Sequence, residues 1–205
     1  MIGVIDYGIG NIGSILNMLK KIGAEACSVK TVEEVEKSEK IILPGVGSFD
    51  AGMQKLRSSG LVDAIMKHAT VHKKPILGIC LGMQMLGKGS EEGIEQGLSL
   101  IPFTCKKFVF EPDSPLKVPH MGWDIIASQR KDDAILRSLD ENQRYYFVHS
   151  YYAVCEEQKS VLMTCDYGFP FAAAVCHDNI YGFQFHPEKS HKFGMALLDN
   201  FARSV

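Results

Sequence analysis

Apolar residues in the first half of the chain fall into short uninterrupted runs with segments of helical period between them. The runs predict buried strands at residues 2–6, 25–29, 40–43 and 75–79. In between, apolar positions recur every three or four residues, which predicts helices over residues 11–22, 31–37, 51–58 and 61–72. Strands that alternate with helices in this way are typical of a parallel sheet wrapped by helices.

Strand patterns dominate the second half, and no repeat, low-complexity segment or linker separates it from the first. A final helix is predicted from residue 191 or 192 to residue 202. We therefore expect an α/β fold in which residues 1–205 form a single domain. The predicted strands of this half are residues 106–110, 123–126, 144–148, 151–154, 161–166, 172–176 and 180–185.

Composition narrows the function classes without naming one. The chain has 205 residues, of which 46% are hydrophobic and 22% charged, and a net charge of −2 gives no electrostatic reason to expect nucleic acid or an anionic membrane as a partner. No leader pattern precedes the first strand, and no apolar run reaches membrane-spanning length. Six cysteines without a C-x-x-C pair argue against a zinc site or a disulfide framework. A cytoplasmic protein fits these features best.

The segment at residues 78–82 (GICLG) carries the strongest chemical signal. It lies where a predicted strand meets a predicted helix, and glycines flank Cys80 on both sides, as in a nucleophile elbow. A helix N-terminus next to the sulfur favours the thiolate and offers N–H groups to an oxyanion. Cys80 is therefore the candidate nucleophile, although a lone cysteine beside a helix is more often structural.

A second segment, residues 182–190, supplies the groups that such a nucleophile needs. On a strand, His186 and Glu188 point to the same face, which predicts a general base with a carboxylate that orients it. Pro187 cannot donate to a strand ladder, so a strand end or edge is expected here. A metal site built from His186, Glu188 and His191 is a weaker alternative, since it leaves Cys80 without a role.

Two glycine-rich loops follow strands in the first half. Residues 8–13 (GIGNIG) match the dinucleotide fingerprint, but the second strand ends without the acid that binds a ribose, so only a weak NADP reading through Lys30 survives. Residues 43–49 leave the third strand close to the expected position of Cys80. A backbone N–H from that loop, together with the N–H of Leu81, is expected to form an oxyanion hole.

Five segments together resemble the class I (triad) glutamine amidotransferases over essentially the whole chain. Within that family the similarity is to glutaminase subunits of imidazole glycerol phosphate synthase. In those subunits an asparagine usually follows the tryptophan that corresponds to Trp123, and Asp124 stands in its place here. The resemblance implies a three-layer, open, mostly parallel, flavodoxin-like α/β sheet with extra β-strands in the C-terminal half. The segments are residues 44–47 (PGVG), 78–84 (GICLGMQ), 119–123 (PHMGW), 146–151 (YFVHSY) and 184–190 (QFHPEKS).

The resemblance also implies the reaction. Cys80 attacks the side-chain amide of L-glutamine, His186 moves the proton, Glu188 orients His186, and no metal or organic cofactor takes part. The oxyanion is held by the N–H groups of Leu81 and Val46, after a peptide flip at Gly45–Val46. By the same resemblance, the residues that bind glutamine are Gly47, Gln84, Glu92, Ser150 and Tyr151.

A single domain of this length leaves no room for an acceptor site, and free ammonia is mostly ammonium at neutral pH. A second protein should therefore receive the ammonia, and the resemblance implies a HisF-like (β/α)8 synthase subunit in histidine biosynthesis. The positions expected near that interface are Asn11, Pro119, His120, Met121, Trp123, Tyr146 and Lys189. Two rivals remain open, a paralogue that feeds another acceptor, as in surface-sugar synthesis, and an NAD(P)-binding module.

Overall fold

A computed structural model describes residues 1–139 and 142–205. Short strands and helices alternate through the first half, as the sequence predicts. Residues 31–34 show why one of these helices begins where it does, because the Thr31 side chain accepts the Glu34 N–H and Glu34 accepts the Thr31 N–H in a capping box. The elements are β1 (Ile2–Ile5), α1 (Ile12–Lys21), β2 (Ala26–Val29), α2 (Val32–Lys37), β3 (Lys40–Leu43), α3 (Phe49–Ser58), α4 (Val62–Thr70), β4 (Ile76–Ile79) and α5 (Leu81–Leu86).

The second half is mostly β-structure and ends in one long helix. Three short 3₁₀ turns interrupt it, at Ala134–Leu136, Gln158–Ser160 and Pro187–Lys189. The longer elements are β5 (Gly89–Ser90), β6 (Phe103–Lys107), β7 (His120–Ser128), β8 (Arg144–His149), β9 (Tyr151–Cys155), β10 (Val161–Asp166), β11 (Pro170–His177), β12 (Ile180–Phe183) and α6 (His191–Ser204).

Within the described residues, one twelve-stranded sheet joins the two halves. Nine of its strands follow the order β2-β1-β3-β4-β12-β11-β10-β7-β8, and the other three form a branch in which β9 pairs with β11, β6 with β9, and β5 with β6. The first five strands in that order are mutually parallel, and those after β12 pair antiparallel. Strand β12 therefore lies in the middle of the sheet, beside β4. Its last residue, Phe183, pairs with Ile79, so the chain that continues to His186 leaves the sheet next to Cys80. The expected edge position for Pro187 is wrong, whereas the expected strand end is correct.

Two apolar clusters lie on opposite faces of this sheet. Ile15 of α1 and Leu197 of α6 belong to one cluster, and Met53 of α3 and Ile65 of α4 belong to the other. The helices therefore form outer layers on both sides of the strands. This three-layer arrangement confirms the predicted α/β class. No helix within the described ranges combines the length and apolarity needed to cross a lipid bilayer.

Several predicted strand boundaries are wrong, and β7 spans His120–Ser128 where a strand is predicted only at residues 123–126. The strand predicted at residues 106–110 spans Phe103–Lys107 instead, because the pairing of β6 with β9 ends at Lys107, and Phe108 turns into an aromatic cluster. The strand predicted at residues 180–185 stops at Phe183, where its pairing with β4 ends. Phe185 is buried in the core without being part of the ladder.

Helix α6 packs tightly on the 3₁₀ turn Pro187–Lys189. A Cβ on Gly194 would lie 1.8 Å from the Pro187 carbonyl oxygen, so only glycine permits this approach. We expect Gly194→Ala to lower the free energy of unfolding by about 1–3 kcal/mol, the usual cost of overpacking. Urea denaturation followed by circular dichroism measures it.

Gly13→Ala is the matched control, since a Cβ there meets nothing within 4 Å and the residue lies in α1. It should leave stability unchanged or raise it by up to about 1 kcal/mol, because alanine favours the helix. Equal destabilisation by both substitutions would contradict this account of the Gly194 contact.

Candidate active site

Cys80 sits on a sharp turn between β4 and α5. Its backbone has φ +54° and ψ −111°, a left-handed conformation that is strained for a residue with a side chain. The Cys80 N–H donates to the Phe183 carbonyl at 2.8 Å, which ties the turn to the end of β12. The residue is 8% exposed. This is the nucleophile elbow that the spacing of glycines predicts.

Packing explains why glycines flank the elbow. A Cβ on Gly82 would lie 1.8 Å from the Leu43 carbonyl oxygen, so the first turn of α5 is pressed against the end of β3. A Cβ on Gly78 would lie 2.7 Å from the backbone of Met83. Side chains at either position would force the helix away from the sheet. Both glycines are therefore required by close backbone approach.

His186 and Glu188 lie beside the elbow, but on a different structure from the one predicted. They occupy the 3₁₀ turn after β12, with Pro187 at its first position, rather than one face of a strand. The turn still brings them together, since His186 Nδ1 lies 2.8 Å from Glu188 Oε1. Their side chains are only 3% and 2% exposed. The contact between the two side chains is present, the strand argument for it is wrong, and their roles as base and orienter stay a prediction.

Hydrogen bonds from β8 fix this turn. The His186 N–H donates to the Tyr146 carbonyl at 2.9 Å, and the Tyr146 N–H donates to Ser190 Oγ at 3.0 Å. Ser190 Oγ in turn donates to the His186 carbonyl at 2.6 Å. The backbone around His186 is therefore anchored on both sides, and the ring has a defined position.

Charge on the neighbouring groups controls the protonation of His186. Burial alone would lower the pKa of His186, but the adjacent Cys80 and the hydrogen-bonded Glu188 carboxylate raise this pKa to about 10. Because Nδ1 faces Glu188, Nε2 is the nitrogen left for chemistry. That atom is buried and has no hydrogen-bond partner among the described residues. The arrangement favours the protonated form of His186 beside Cys80.

A cavity of about 340 Å³ opens beside Cys80 and His186. It brings together the five residues predicted to bind glutamine and two predicted for the oxyanion hole. Pro119, predicted at the partner interface, also reaches it. The other lining residues are Val46, Gly47, Leu81, Gln84, Glu92, Val148, His149, Ser150 and Tyr151.

Acidic and amide groups give the cavity a polar wall. Glu92 Oε2 accepts the Phe49 N–H at 2.8 Å, at the N-terminus of α3. Gln84 Nε2 donates to the Tyr151 carbonyl at 3.3 Å and to Gln184 Oε1 at 3.1 Å. A carboxylate such as that of Glu92 at a concave site suits the ammonium of an amino acid. The wall therefore matches a small zwitterionic ligand.

Three residues of this region were not predicted from the sequence. Val148 and His149 line the cavity, and Gln184 Nε2 lies 3.9 Å from Cys80 Sγ. Each reaches the site from a strand, or the end of a strand, in the second half of the chain. Alternation along β8 indicates that Phe147 and His149 are buried, but nothing local indicates which cavity they face.

The loop at residues 44–47 is fixed by contacts with Tyr7 and with the start of α5. The Tyr7 hydroxyl donates to the Pro44 carbonyl at 2.7 Å, and a Cβ on Gly45 would lie 2.9 Å from the Gly82 nitrogen. Val46 is 44% exposed at the mouth of the cavity, and Gly47 has φ +98°. The loop thus lies where an oxyanion donor is needed, and its role there stays a prediction.

The predicted interface residues differ in exposure. His120 is the exception, since it is 1% exposed and cannot meet a partner directly. The Lys189 ammonium lies over the Tyr146 ring at 5.6 Å, and Trp123 packs near the same ring at 6.2 Å. Tyr146 is half-buried, and the exposed members are Asn11, Pro119, Met121, Trp123 and Lys189.

The competing readings gain no support. Gly10 of the loop at residues 8–13 lies against Pro44, and Lys30 is paired with Asp6 at 3.2 Å, so protein groups occupy the crevice at this loop. His191 stacks on Trp123 at 5.5 Å with an interplanar angle of 2°. In residues 1–139 and 142–205, no group of three or more histidine, cysteine, aspartate or glutamate side chains is placed to hold a metal ion.

Comparison with solved structures establishes the fold. PurLQS from Thermotoga maritima matches with a TM-score of 0.73 and 19% identity, over 98% of this chain and 96% of that one. A structure described as a glutamine amidotransferase matches with a TM-score of 0.72 and 19% identity, over 96% and 97% of the two chains. Both confirm the three-layer α/β arrangement.

Sequence comparison identifies the family. The family model described as "Glutamine amidotransferase class-I" matches residues 3–205. Imidazole glycerol phosphate synthase subunit HisH 2 from Pseudomonas aeruginosa is 54% identical over the full length of both chains. Subunit HisH from Leptospira interrogans is 49% identical over 98% of this chain and 99% of its own. The chain therefore belongs to the class-I glutamine amidotransferase family and groups with its HisH members.

Proposed function

We propose that this chain hydrolyses L-glutamine to glutamate and ammonia and passes the ammonia to a HisF-like (β/α)8 synthase subunit. In that assembly it serves as the glutaminase subunit of imidazole glycerol phosphate synthase, in histidine biosynthesis. One observation carries the proposal, namely Cys80 on its elbow beside the buried His186–Glu188 pair. Relatives named as HisH subunits support the pathway.

The first half of the reaction forms a thioester. The Cys80 sulfur attacks the side-chain carbonyl carbon of glutamine, and the carbonyl oxygen becomes an oxyanion. His186 Nε2 then gives its proton to the departing nitrogen, the carbon–nitrogen bond breaks, and ammonia leaves. Glu188 accepts from Nδ1 throughout and stabilises the imidazolium.

The second half regenerates the enzyme. His186, now neutral, takes a proton from water, and the hydroxide attacks the γ-glutamyl thioester. Glutamate leaves and Cys80 returns to the thiolate next to protonated His186. The N–H groups of Leu81 and Val46 hold both oxyanions, and Glu92 binds the α-ammonium of the substrate. The proposed chemistry uses side chains, backbone N–H groups and water, and it calls for no metal or organic cofactor.

A partner protein completes the assignment. Trp123, Met121 and Lys189 form an exposed face on the side of the molecule that carries Tyr146, which anchors the His186 turn. Docking there would place a synthase close to the catalytic histidine. All six cysteines are free thiols, so we also infer a reducing cytoplasmic location.

Replacing Cys80 by alanine tests the nucleophile. Synthesis that depends on glutamine should be abolished, while synthesis from added ammonium salts should continue, because only ammonia generation is lost. An electrophilic glutamine analogue should label Cys80 and spare the other five cysteines, which lack a paired base. Tandem mass spectrometry of the labelled chain locates the adduct, and a label on another cysteine would refute this role.

His186 and Glu188 should differ in their effects on turnover. His186→Asn removes the base, whereas Glu188→Gln leaves a base that is poorly oriented. We expect Glu188→Gln to lower kcat by roughly 10²-fold or more, and His186→Asn to lower it further. Steady-state glutamine hydrolysis in the synthase complex measures both. Two equally mild effects would rule out His186 as the base.

The isolated chain should idle. A peptide flip at Gly45–Val46 would turn an N–H toward the oxyanion, and we expect the docked synthase with its ligand to favour that state. Glutamine hydrolysis should rise at least about 100-fold with the partner and its ligand, which is the effect of one oxyanion donor. Full activity of the chain alone would instead indicate a stand-alone hydrolase, and activation only by another acceptor would indicate a different pathway.

A further inference from the structure

Three polar side chains form a continuous hydrogen-bonded path that the hydrolysis does not use. Asp124 Oδ2 lies 2.7 Å from His120 Nε2, and His120 Nδ1 lies 2.9 Å from His149 Nε2. His149 Nδ1 then lies 2.8 Å from the carbonyl oxygen of Tyr151. The path begins at a side chain that is 41% exposed and ends in the wall of the cavity.

Hydrogen positions along this path follow from what each end can accept. The Tyr151 carbonyl only accepts, so His149 carries its proton on Nδ1. Burial lowers the pKa of His149 to about 3, helped by the positive charges of His120 and His186, so its ring is neutral and Nε2 is an acceptor. His120 must therefore donate from Nδ1.

The last link needs one more proton. When neutral His120 donates a hydrogen bond from Nδ1–H to His149, its Nε2 carries only a lone pair. That lone pair faces the Asp124 carboxylate, and two acceptors repel each other. If His120 instead places its proton on Nε2, its Nδ1 lone pair faces the lone pair of His149. The bond lengths fit all three links only when a second proton lies between His120 and Asp124.

We propose that Asp124, His120 and His149 form a relay that positions the Ser150–Tyr151 segment of the glutamine cavity, and that the relay is complete only while it holds this extra proton. The inference rests on the proposed function, because it treats the cavity as the glutamine site. All three are positioning residues, since none touches the reacting atoms.

The relay acts on the cavity through Tyr151. Its carbonyl accepts from both His149 and Gln84, at 2.8 and 3.3 Å, so two residues of the cavity wall depend on one backbone atom. Losing the proton breaks one link, because neutral His120 has a single N–H and can donate to Asp124 or to His149 but not to both. While His120 donates to Asp124, His149 Nε2 has no donor, and only the bond to the Tyr151 carbonyl holds its ring. Glutamine binding should weaken, while the Cys80–His186 chemistry stays intact.

Groups packed around the relay do not replace Asp124. Tyr167 stacks on His120 at 4.0 Å, and its hydroxyl donates to the Lys117 carbonyl. Cys165 on β10 lies near Asp124, and burial raises the pKa of its thiol to about 12, so it stays neutral. The remaining titratable neighbours are Asp166, next to Cys165, and His186, on the far side of His149.

The pH range follows from His120. Burial lowers the pKa of His120 below the usual 6.5. The hydrogen bond that His120 makes to Asp124 acts in the opposite direction but does not cancel the effect of burial. A lowered pKa means that the extra proton is lost at a lower pH than an ordinary imidazole would lose it, so it is gained as the pH falls and lost as the pH rises. The relay is therefore complete at the acidic end and one bond short at the alkaline end.

Asp124→Asn separates the proton from the geometry. An asparagine amide donates to His120 Nε2 without any extra proton, so this variant keeps a complete relay at every pH. In the full-length chain bound to its synthase, we expect wild-type KM for glutamine to approach that of Asp124→Asn as the pH is lowered. At about pH 8.5 it should be about 3- to 10-fold higher, the effect of one hydrogen bond, with kcat equal in both proteins. The matched control, Asp199→Asn, alters only a surface pair with Arg203 and should follow wild type.

Imidazole ¹⁵N NMR of the full-length chain reads the relay without any turnover. His120 should carry protons on both nitrogens at the acidic end and on one at the alkaline end, whereas in Asp124→Asn it should keep one proton throughout. A wild-type His120 that does not titrate, or equal titration in both proteins, would overturn the relay. Unchanged KM ratios across pH in active protein would also overturn it. Absence of glutamine hydrolysis in every variant would refute the proposed function instead, and the NMR result would still decide the relay.

Discussion

The backbone turn at Cys80 is the constraint on which the rest of the site depends. A left-handed conformation at a residue with a side chain is unfavourable by itself, and it persists because surrounding contacts leave no alternative. The Leu43 carbonyl presses against Gly82, and the Cys80 N–H is bound by Phe183 of the neighbouring strand. Strands β3, β4 and β12 must therefore be in register before the sulfur reaches its position. The sheet does more than support the nucleophile, because it defines the angle at which the sulfur meets a substrate.

The same logic places the histidine. Strand β12 runs parallel to β4, so the chain leaves both strands at the same edge of the sheet, and the turn at Pro187–Lys189 begins next to the elbow. Helix α6 closes over this turn through Gly194, and β8 fixes it through Tyr146. Burial of the His186–Glu188 pair removes water from the bond between them, so the bond holds the imidazole ring in a defined orientation. Catalytic geometry is therefore a property of several strands and not of one loop.

Local sequence patterns are enough to predict the elbow and the fold class. The features that the sequence does not predict depend on contacts between strands that are far apart along the chain. Glycines at positions 78 and 82 are needed where the backbone of neighbouring segments approaches closely, and their spacing around Cys80 is visible in the sequence. The sequence alone therefore predicts the elbow. The sequence argument puts His186 and Glu188 on one face of a strand because strand side chains alternate, whereas the strand ends at Phe183, where its partner β4 ends at Ile79. His149 and Gln184 were not found, because their roles depend on which strands become neighbours. His120 is buried for the same reason, since β7 pairs with β8 and turns its ring toward His149.

Trapping the covalent intermediate tests the central claim most directly. The full-length chain and its synthase are mixed with glutamine, quenched in acid within a turnover and digested for mass spectrometry. A γ-glutamyl thioester carries the mass of glutamine less ammonia, and we predict it on the Cys80 peptide alone, with none in Cys80→Ala. Steady glutamine hydrolysis without any adduct, or an adduct on a different cysteine, would contradict the assignment of Cys80, His186 and Glu188 as the catalytic triad.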